Sequence, residues 1–381
     1  MKQPPAQNIA DLRAIAKRRL PRALFEYVDR GAEDEVAIDT NRRALEQIKL
    51  RPRVLRGVAV RSAQQMLWGE PMALPIAIAP TAVAGMLWHD GDVQSARAAV
   101  AAGIPYTLST FSVTALEKVA EGAPGGRLWF QLYVMNDRDH MRQLVRRAWN
   151  AGYEALMVTV DGPVAPKREY NIRNGFNMPI TWGPRLMWDF ATHPRWLLGV
   201  AARYKLTTGI PGMVHHATGP SSVKDPNKSD ASLNWDTIRE LRALFPGKLL
   251  LKGILHPDDA RMALDAGVDG IVVSNHGGRS LDASLATIDA LPDVLRAVDG
   301  RMPVMVDSAF YRGSDIVKAL AMGAGAVLVG RAAVWGVAAS GQAGVSHAIG
   351  ILGEEIDRVM AQTGCTRLSE LSPHLIWRPR Y

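Results

Sequence analysis

The sequence predicts a (β/α)8 barrel with a helical N-terminal segment and one long insertion after the fourth strand. Three observations carry that prediction. Eight short apolar or β-branched runs recur from residue 74 onward, and helical patterns separate most of them. Those helical patterns end at a glycine close to the next run. A polar or charged side chain stands at the end of nearly every run.

The helical segment comes first. "DLRAIAKRRL" and "EDEVAIDTNRRALEQI", within residues 8–50, repeat apolar positions near a period of 3.6. The strands follow: "LPIAIAP" (74–80), "PYTLST" (105–110), "LWFQLYV" (128–134) and "ALMVTVD" (155–161). After a gap come "KLLLKGI" (248–254), "DGIVVSN" (269–275), "MPVMVDS" (302–308) and "GAVLVG" (325–330). Between them lie "VQSARAAVAAG", "RQLVRRAWNAG", "PDDARMALDAG" and "GSDIVKALAMGA". Strand–helix alternation implies a parallel sheet, and eight units imply closure into a barrel. An open doubly wound sheet is the alternative at this point. "GAPGGR" (122–127) precedes a strand instead of opening a helix, so it does not fit a dinucleotide-binding turn.

Composition narrows the class. The 381 residues are 48% hydrophobic and 22% charged, as in globular proteins, and no linker or low-complexity tract divides them. A formal charge of +8 suits anionic ligands or surfaces, but no nucleic-acid signature accompanies it. The single cysteine, Cys365, excludes an intramolecular disulfide and a cysteine-based zinc site, which fits a reducing compartment. The N-terminus lacks the apolar stretch of a signal peptide. The expected location is cytoplasmic, either free or peripheral at the cytoplasmic face of the inner membrane.

The insertion, roughly 175–230, alternates Trp182, Trp188 and Trp196 with Arg185, Arg195, Arg203 and Lys205. Tryptophan beside cations on an amphipathic segment suits a membrane interface. A lid or a subunit contact explains the same length equally well.

In a barrel of this kind the chemistry sits where strands end. In order, those positions are Pro80-Thr81-Ala82, Ser109-Thr110-Phe111, Gln131 and Tyr133, Thr159 and Asp161 with Arg168, Lys252, Ser274 with His276 and Arg279, Asp307, and Gly330-Arg331. Taken singly, a lysine after "LLL" is a strand terminus reaching solvent, and an Asp at "VTVD" or "MVDS" is a turn former. Eight such positions together converge, and their excess of positive charge suits a ligand with phosphate and carboxylate groups. "DSAFYRGSD" and "GAVLVGRAA" lead towards helices, where backbone N–H groups with Arg312 or Arg331 suit a phosphate.

With "SNHGGRSLD", "RGAEDE", "APTA", "FQLYV", "TVDGP", "LLKGIL", "RGSDIVKALAMGA" and "GRAA" all in order, the chain resembles the FMN-dependent L-2-hydroxy acid oxidoreductases from about Asn8 to Ser372. That family includes glycolate oxidase, L-lactate dehydrogenase and L-mandelate dehydrogenase. The resemblance implies one FMN-binding domain over 1–381, with 175–230 as a lid or membrane-docking insertion. It implies His276 as the base that takes the substrate proton, Asp161 as the carboxylate steadying the imidazolium, and Lys252 beside the flavin. Arg168, Arg279, Tyr27 and Tyr133 would hold the substrate carboxylate, with Phe111 on the pocket wall. Pro80, Thr81, Ala82, Ser109, Gln131, Thr159, Ser274, Asp307, Ser308, Ala309, Tyr311, Arg312, Gly330 and Arg331 complete the expected cofactor set. No metal is implied.

Three departures stand out. Ser280 replaces the usual glutamine, Tyr311 replaces an arginine that commonly contacts phosphate, and Ala309 replaces a glycine in the same turn, tightening it. Phe111 stands where glycolate oxidase has tryptophan, and Ala82 matches the glycolate and lactate type. "WFQLYV" and "SDASLNWDTIRELRALFPGKLLLKGIL" look closest to mandelate dehydrogenase. The expectation is therefore oxidation of an aromatic L-(S)-2-hydroxy acid such as mandelate, with electrons passed to a quinone, in a homotetramer. The alternatives are a lactate dehydrogenase, a glycolate-type oxidase using O2, and, from another class, a flavin-dependent isomerase barrel.

Overall fold

The computed structural model describes residues 6–176, 183–209, 211–217, 223–225 and 228–378. Eight parallel strands close a barrel: β1 Ile76–Ile78, β2 Tyr106–Ser109, β3 Leu128–Leu132, β4 Ala155–Thr159, β5 Lys248–Ile254, β6 Gly270–Val273, β7 Val304–Val306 and β8 Ala326–Val329. All eight fall within the predicted runs. Closure is made by β8 pairing with β1 through Val327↔Ile76, Leu328↔Ala77 and Val329↔Ile78.

Strand parity explains the site. Alternate strand residues face opposite sides of a sheet. Ala77, Trp129, Ala155, Met157, Leu250, Val272, Met305, Ala326 and Leu328 fill the barrel interior as one buried cluster, while Leu156, Val158, Leu249 and Leu251 pack outward under the helices. Counting two residues on from the last interior side chain reaches Ala79, Gln131, Thr159, Lys252, Ser274, Asp307 and Gly330. The polar row at the strand ends is the inward row, continued.

The N-terminal segment forms α1 Ile9–Arg19, α2 Arg22–Asp29 and α3 Val36–Gln47. Asn8 caps α1 by accepting the Asp11 N–H at 2.9 Å, and Ile9, Leu12 and Ala16 form its buried face. Pro21 opens α2, where its missing N–H is harmless. The four glycines expected as helix stops, Gly103, Gly152, Gly267 and Gly323, all have positive φ. A hairpin, Gln65–Leu67 with Glu70–Met72, had no counterpart in the sequence reading. It buries Leu67 and Met72 against the barrel interior, and Trp68 tilts on Trp129 at 5.6 Å. The hairpin therefore plugs the far end of the barrel, and the cleft lies at the carboxyl ends of the strands.

Within the insertion, Pro184–Ala191 is helical, and Pro194–Trp196, Leu197–Ala202 and Arg203–Thr207 run on as one winding segment with a π-helical middle. Trp182 lies outside the described residues. Trp196 is not interfacial: it is buried against Phe190, with Nε1 donating to the Met86 carbonyl at 2.7 Å. Trp188 is 73% exposed beside exposed Met187 and Leu198. No helix among the described residues is long and apolar enough to cross a membrane.

Candidate active site

A cleft of about 1070 Å3, its open mouth included, occupies the carboxyl end of the barrel. His276, Lys252, Tyr27, Tyr133, Arg168, Arg279, Phe111, Pro80, Thr81, Ala82, Ser109, Gln131, Thr159, Asp307, Ser308, Ala309, Tyr311, Gly330 and Arg331 all line it, as does Gly277. Three expected residues stand back from it. Asp161 lies behind His276, and Ser274 lies beneath Lys252. Arg312 turns away to pair with Glu355 at 3.0 Å, so of the two arginines considered for a phosphate only Arg331 faces the cleft.

The centre is a relay of three side chains. Asp161 Oδ1 lies 2.7 Å from His276 Nδ1, and the Tyr133 hydroxyl lies 3.1 Å from His276 Nε2. A carboxylate accepts only, so Nδ1 carries the proton and Nε2, on the cleft side, is the basic nitrogen and accepts from the Tyr133 hydroxyl. Burial pulls the His276 pKa below its ordinary value, Lys252 and Arg168 add to this, and Asp161 opposes them. The imidazole is thereby kept neutral and basic. Burial acts to raise the Asp161 pKa, but the His276 Nδ1–H that it accepts and the positive charge of Lys252 outweigh this and hold it below the usual carboxylate range.

Close packing fixes Asp161. Gly253 has φ +112°, and a Cβ there would stand 2.6 Å from the Asp161 Cβ. Sequence reading gave Gly253 no role. Ser280, the departure in the histidine loop, donates its hydroxyl to the Asp161 carbonyl oxygen and so ties that loop to the one after β4. Gly278, in turn, serves packing: a Cβ there would meet Ile38 of α3 at 2.7 Å. Of the loop's two glycines, only Gly277 lines the cleft.

Lys252 is 4% exposed, 3.2 Å from Asp307 Oδ2 and 2.8 Å from the Ser274 hydroxyl. Burial lowers its pKa, but Asp307 and Asp161 more than compensate, so the net direction is upward and the ammonium is retained. On the adjoining wall Gln131 Oε1 accepts from the Ser109 hydroxyl at 3.0 Å, while Nε2 donates to Thr159 Oγ1 at 3.0 Å.

Both acids near the cleft already have cationic or imidazole partners, whereas three guanidinium groups meet only carbonyl oxygens among the described residues. Among the described residues, Arg168 donates to the Arg279 carbonyl, Arg279 to that of Arg30, and Arg331 to those of Asp29, Gly277 and Arg30. Among the described residues none of the three meets a carboxylate, and Arg168 Nε is buried with no partner. Burial first, then Arg168, pushes the Arg279 pKa down to about 10. Buried cations without counter-charge are costly, and the cleft is built to be completed by anions.

The closed barrel and its basic, histidine-centred cleft define an oxidoreductase of the flavin-barrel type. Residues 16–378 match the family model described as FMN-dependent dehydrogenase, and the chain belongs to that family. It is 40% identical over 372 residues to (S)-mandelate dehydrogenase of Pseudomonas putida, covering 96% of this chain and 92% of that one. It is 42% identical over 372 residues to an L-lactate oxidase of Nostoc sp., covering 96% of each. Among solved structures, that of a monotopic membrane protein, (S)-mandelate dehydrogenase, superposes with a TM-score of 0.92 at 38% identity. It covers 99% of this chain and 100% of that chain.

The cleft fits FMN. Ser109, Gln131, Thr159 and Lys252 line one wall of it with polar atoms. Arg331, with no carboxylate partner among the described residues, suits the phosphate. Tyr311 lines the same cleft, its ring tilted against Trp335 at 5.2 Å, and adds a hydroxyl but no charge.

Proposed function

We propose that the protein oxidises an L-(S)-2-hydroxy acid to the 2-oxo acid. The observation that carries this reading is the pair Arg168 and Arg279, both without carboxylate partners, beside a neutral His276 backed by Asp161. Bound FMN supplies the two-electron acceptor. Arg168 and Arg279 hold the substrate carboxylate and orient it, Tyr27 and Tyr133 add hydrogen bonds, and His276 Nε2 takes a proton from the acid. Asp161 offsets the charge that the imidazolium then carries. Lys252 places a fixed positive charge where electron density arrives. Ser109, Gln131, Thr159 and Arg331 hold the cofactor.

An aromatic acid such as (S)-mandelate is the proposed substrate. The support is the stacked wall of Phe111 on Tyr133, with centroids 4.7 Å apart and 24° between planes, and the similarity to mandelate dehydrogenase. Anaerobic flavin reduction with (S)-mandelate, (S)-lactate and glycolate tests it. Fastest bleaching by mandelate is expected, and fastest bleaching by lactate would move the assignment to the lactate type.

Electrons are proposed to leave to a quinone at a membrane surface, on which residues 175–230 dock. Exposed Met187, Trp188, Leu198 and Leu206 lie among exposed Arg185, Arg195, Arg203 and Lys205, an apolar and cationic mixture suited to anionic lipid. Co-sedimentation with anionic vesicles, lost in Trp188→Ser/Leu198→Asp, is the expected result. Rapid stoichiometric peroxide formation in air overturns the dehydrogenase assignment. A tetramer is proposed for the assembly, and light scattering measures it.

A further inference from the structure

The loop after β2 carries Phe111 into the cleft, and a single imidazole grips both its ends. His215, fully buried in the insertion, has Nδ1 3.3 Å from the Thr110 carbonyl oxygen and Nε2 3.1 Å from the Leu116 N–H. A carbonyl accepts and an N–H donates, so this ring is neutral with its proton on Nδ1. His140 Nε2 lies 2.7 Å from the His215 carbonyl, and Phe130 of β3 meets the ring edge-on at 5.4 Å. The other side of the loop is fixed by Asp92, which accepts from the Ser112 hydroxyl at 2.8 Å and the Thr114 hydroxyl at 3.2 Å.

The next residue reaches the loop's tip. His216 stands edge-on to Phe111, with centroids 5.5 Å apart and 84° between planes. Among the described residues its buried Nε2 has no hydrogen-bond partner, and the contact its ring makes with Phe111 is one of packing. Phe111 is thus held between His216 and Tyr133, and Tyr133 touches the base His276.

We propose that His215 and His216 are specificity-determining positioning residues. His215 fixes the ends of the loop and His216 backs Phe111, so barrel and insertion jointly build the wall facing the acid's side chain. This rests on the 2-hydroxy acid reading above. The arginines and His276 are anchored elsewhere: Arg279 by the Arg30 carbonyl of the N-terminal segment, Arg168 by the Arg279 carbonyl, and His276 by Asp161. A displaced Phe111 therefore alters the space for the side chain more than it alters the reacting centre.

The test uses the FMN-loaded protein and (S)-2-hydroxy acids with short aliphatic, long aliphatic and aromatic side chains. His216→Ala is expected to change the aromatic-to-short ratio of kcat/KM by about tenfold or more, the scale of a reshaped apolar pocket, and mostly through KM. The Kd values of the matching 2-oxo acids, read from the flavin spectrum, should move in the same ratio. His216→Phe keeps the ring edge and should restore the ratio, while His216→Leu fills the space without an aromatic edge and should not. His215→Gln should shift the ratio in the same direction as His216→Ala. A ratio unchanged in His216→Ala and His216→Leu, or an equal loss for every acid, overturns the inference while leaving the reaction assigned. A wild-type flavin that no 2-hydroxy acid bleaches overturns the reaction reading itself, and the inference with it.

Discussion

Arg279 and Arg331 donate to the same acceptor. The carbonyl oxygen of Arg30 lies 2.7 Å from Nη1 of Arg279 and 3.2 Å from Nη2 of Arg331, so one peptide group positions both the cation proposed for the substrate and the cation proposed for the phosphate. Arg331 is held further by the carbonyls of Asp29 and Gly277. The turn between α2 and α3 is therefore part of the site, although it contributes backbone only.

Gly31 is the point at which to disturb it. A Cβ there would stand 2.5 Å from the Gly278 carbonyl oxygen, forcing the turn away from the histidine loop. Gly31→Ala is expected to raise both the KM for the acid and the Kd for FMN, each by about tenfold, since sub-ångström misplacement of an anchoring group has effects on this scale. Steady-state kinetics and fluorimetric FMN titration measure the two. A rise in one alone shows that the arginines are held independently.

The basic form of His276 is favoured by burial, so kcat/KM should fall with falling pH through a midpoint below the ordinary histidine value of 6.5. Asp161 is the group opposing that shift. Asp161→Asn should move the midpoint lower still and reduce the plateau by roughly 10²- to 10⁴-fold, as the tautomer and the imidazolium both lose their support. A midpoint that moves upward would falsify the pairing.

Gly253→Ala tests the same carboxylate sterically. The added carbon meets Asp161 in a backbone conformation that alanine itself resists. A fall in kcat of about tenfold or more with FMN content retained is expected, because displacement of the carboxylate unsettles the base and not the cofactor. Equal loss of flavin and activity points instead to general unfolding.

Strain is visible at the phosphate end. Ser308 and Ala309 follow one another with φ of 84° and 62°, in the region that favours glycine. Ala309→Gly should stabilise the protein by about 0.5–1 kcal/mol, the release of left-handed strain less the entropy glycine adds to the unfolded chain. Urea denaturation of the flavin-loaded protein measures it, and destabilisation would show that the turn is relaxed as built.

Much of the barrel could be read along the chain because its rules are local. Apolar runs, helix-ending glycines and two-residue parity mark the strands, and parity alone brings Gln131, Thr159, Lys252 and Asp307 to one end. Partners are a different matter. Arg331 and Asp29 are 302 residues apart, and Ser280 meets Asp161 across 119, so nothing local distinguishes Arg331, which faces the cleft, from Arg312, which does not. Gly253 looks like any strand-end glycine until Asp161 is beside it. The hairpin at 65–72 is too short for its periodicity to register, and the tryptophans of the insertion look alike until Trp196 is found buried.

His215 supplies the last test, one of folding rather than turnover. Burial pulls its pKa down to about 4; the Thr110 carbonyl and Glu117 act upward, while Arg147 and the neighbouring His216 act downward. His140 meets the same residue at its carbonyl. In the unfolded chain the group returns to 6.5, so the unfolded state binds the proton first as pH falls. The neutral clamp therefore contributes its full stability above pH 6.5 and loses it progressively towards pH 4. Between about pH 7.5 and 5 the loss from this one group is on the order of 2 kcal/mol. His215→Gln cannot titrate, so its stability should fall less over the same interval, even if it starts lower. Urea titrations of both proteins at the two pH values give the double difference. If that difference is zero, His215 is not held neutral by burial, and the loop bearing Phe111 is not clamped in the way its hydrogen bonds describe.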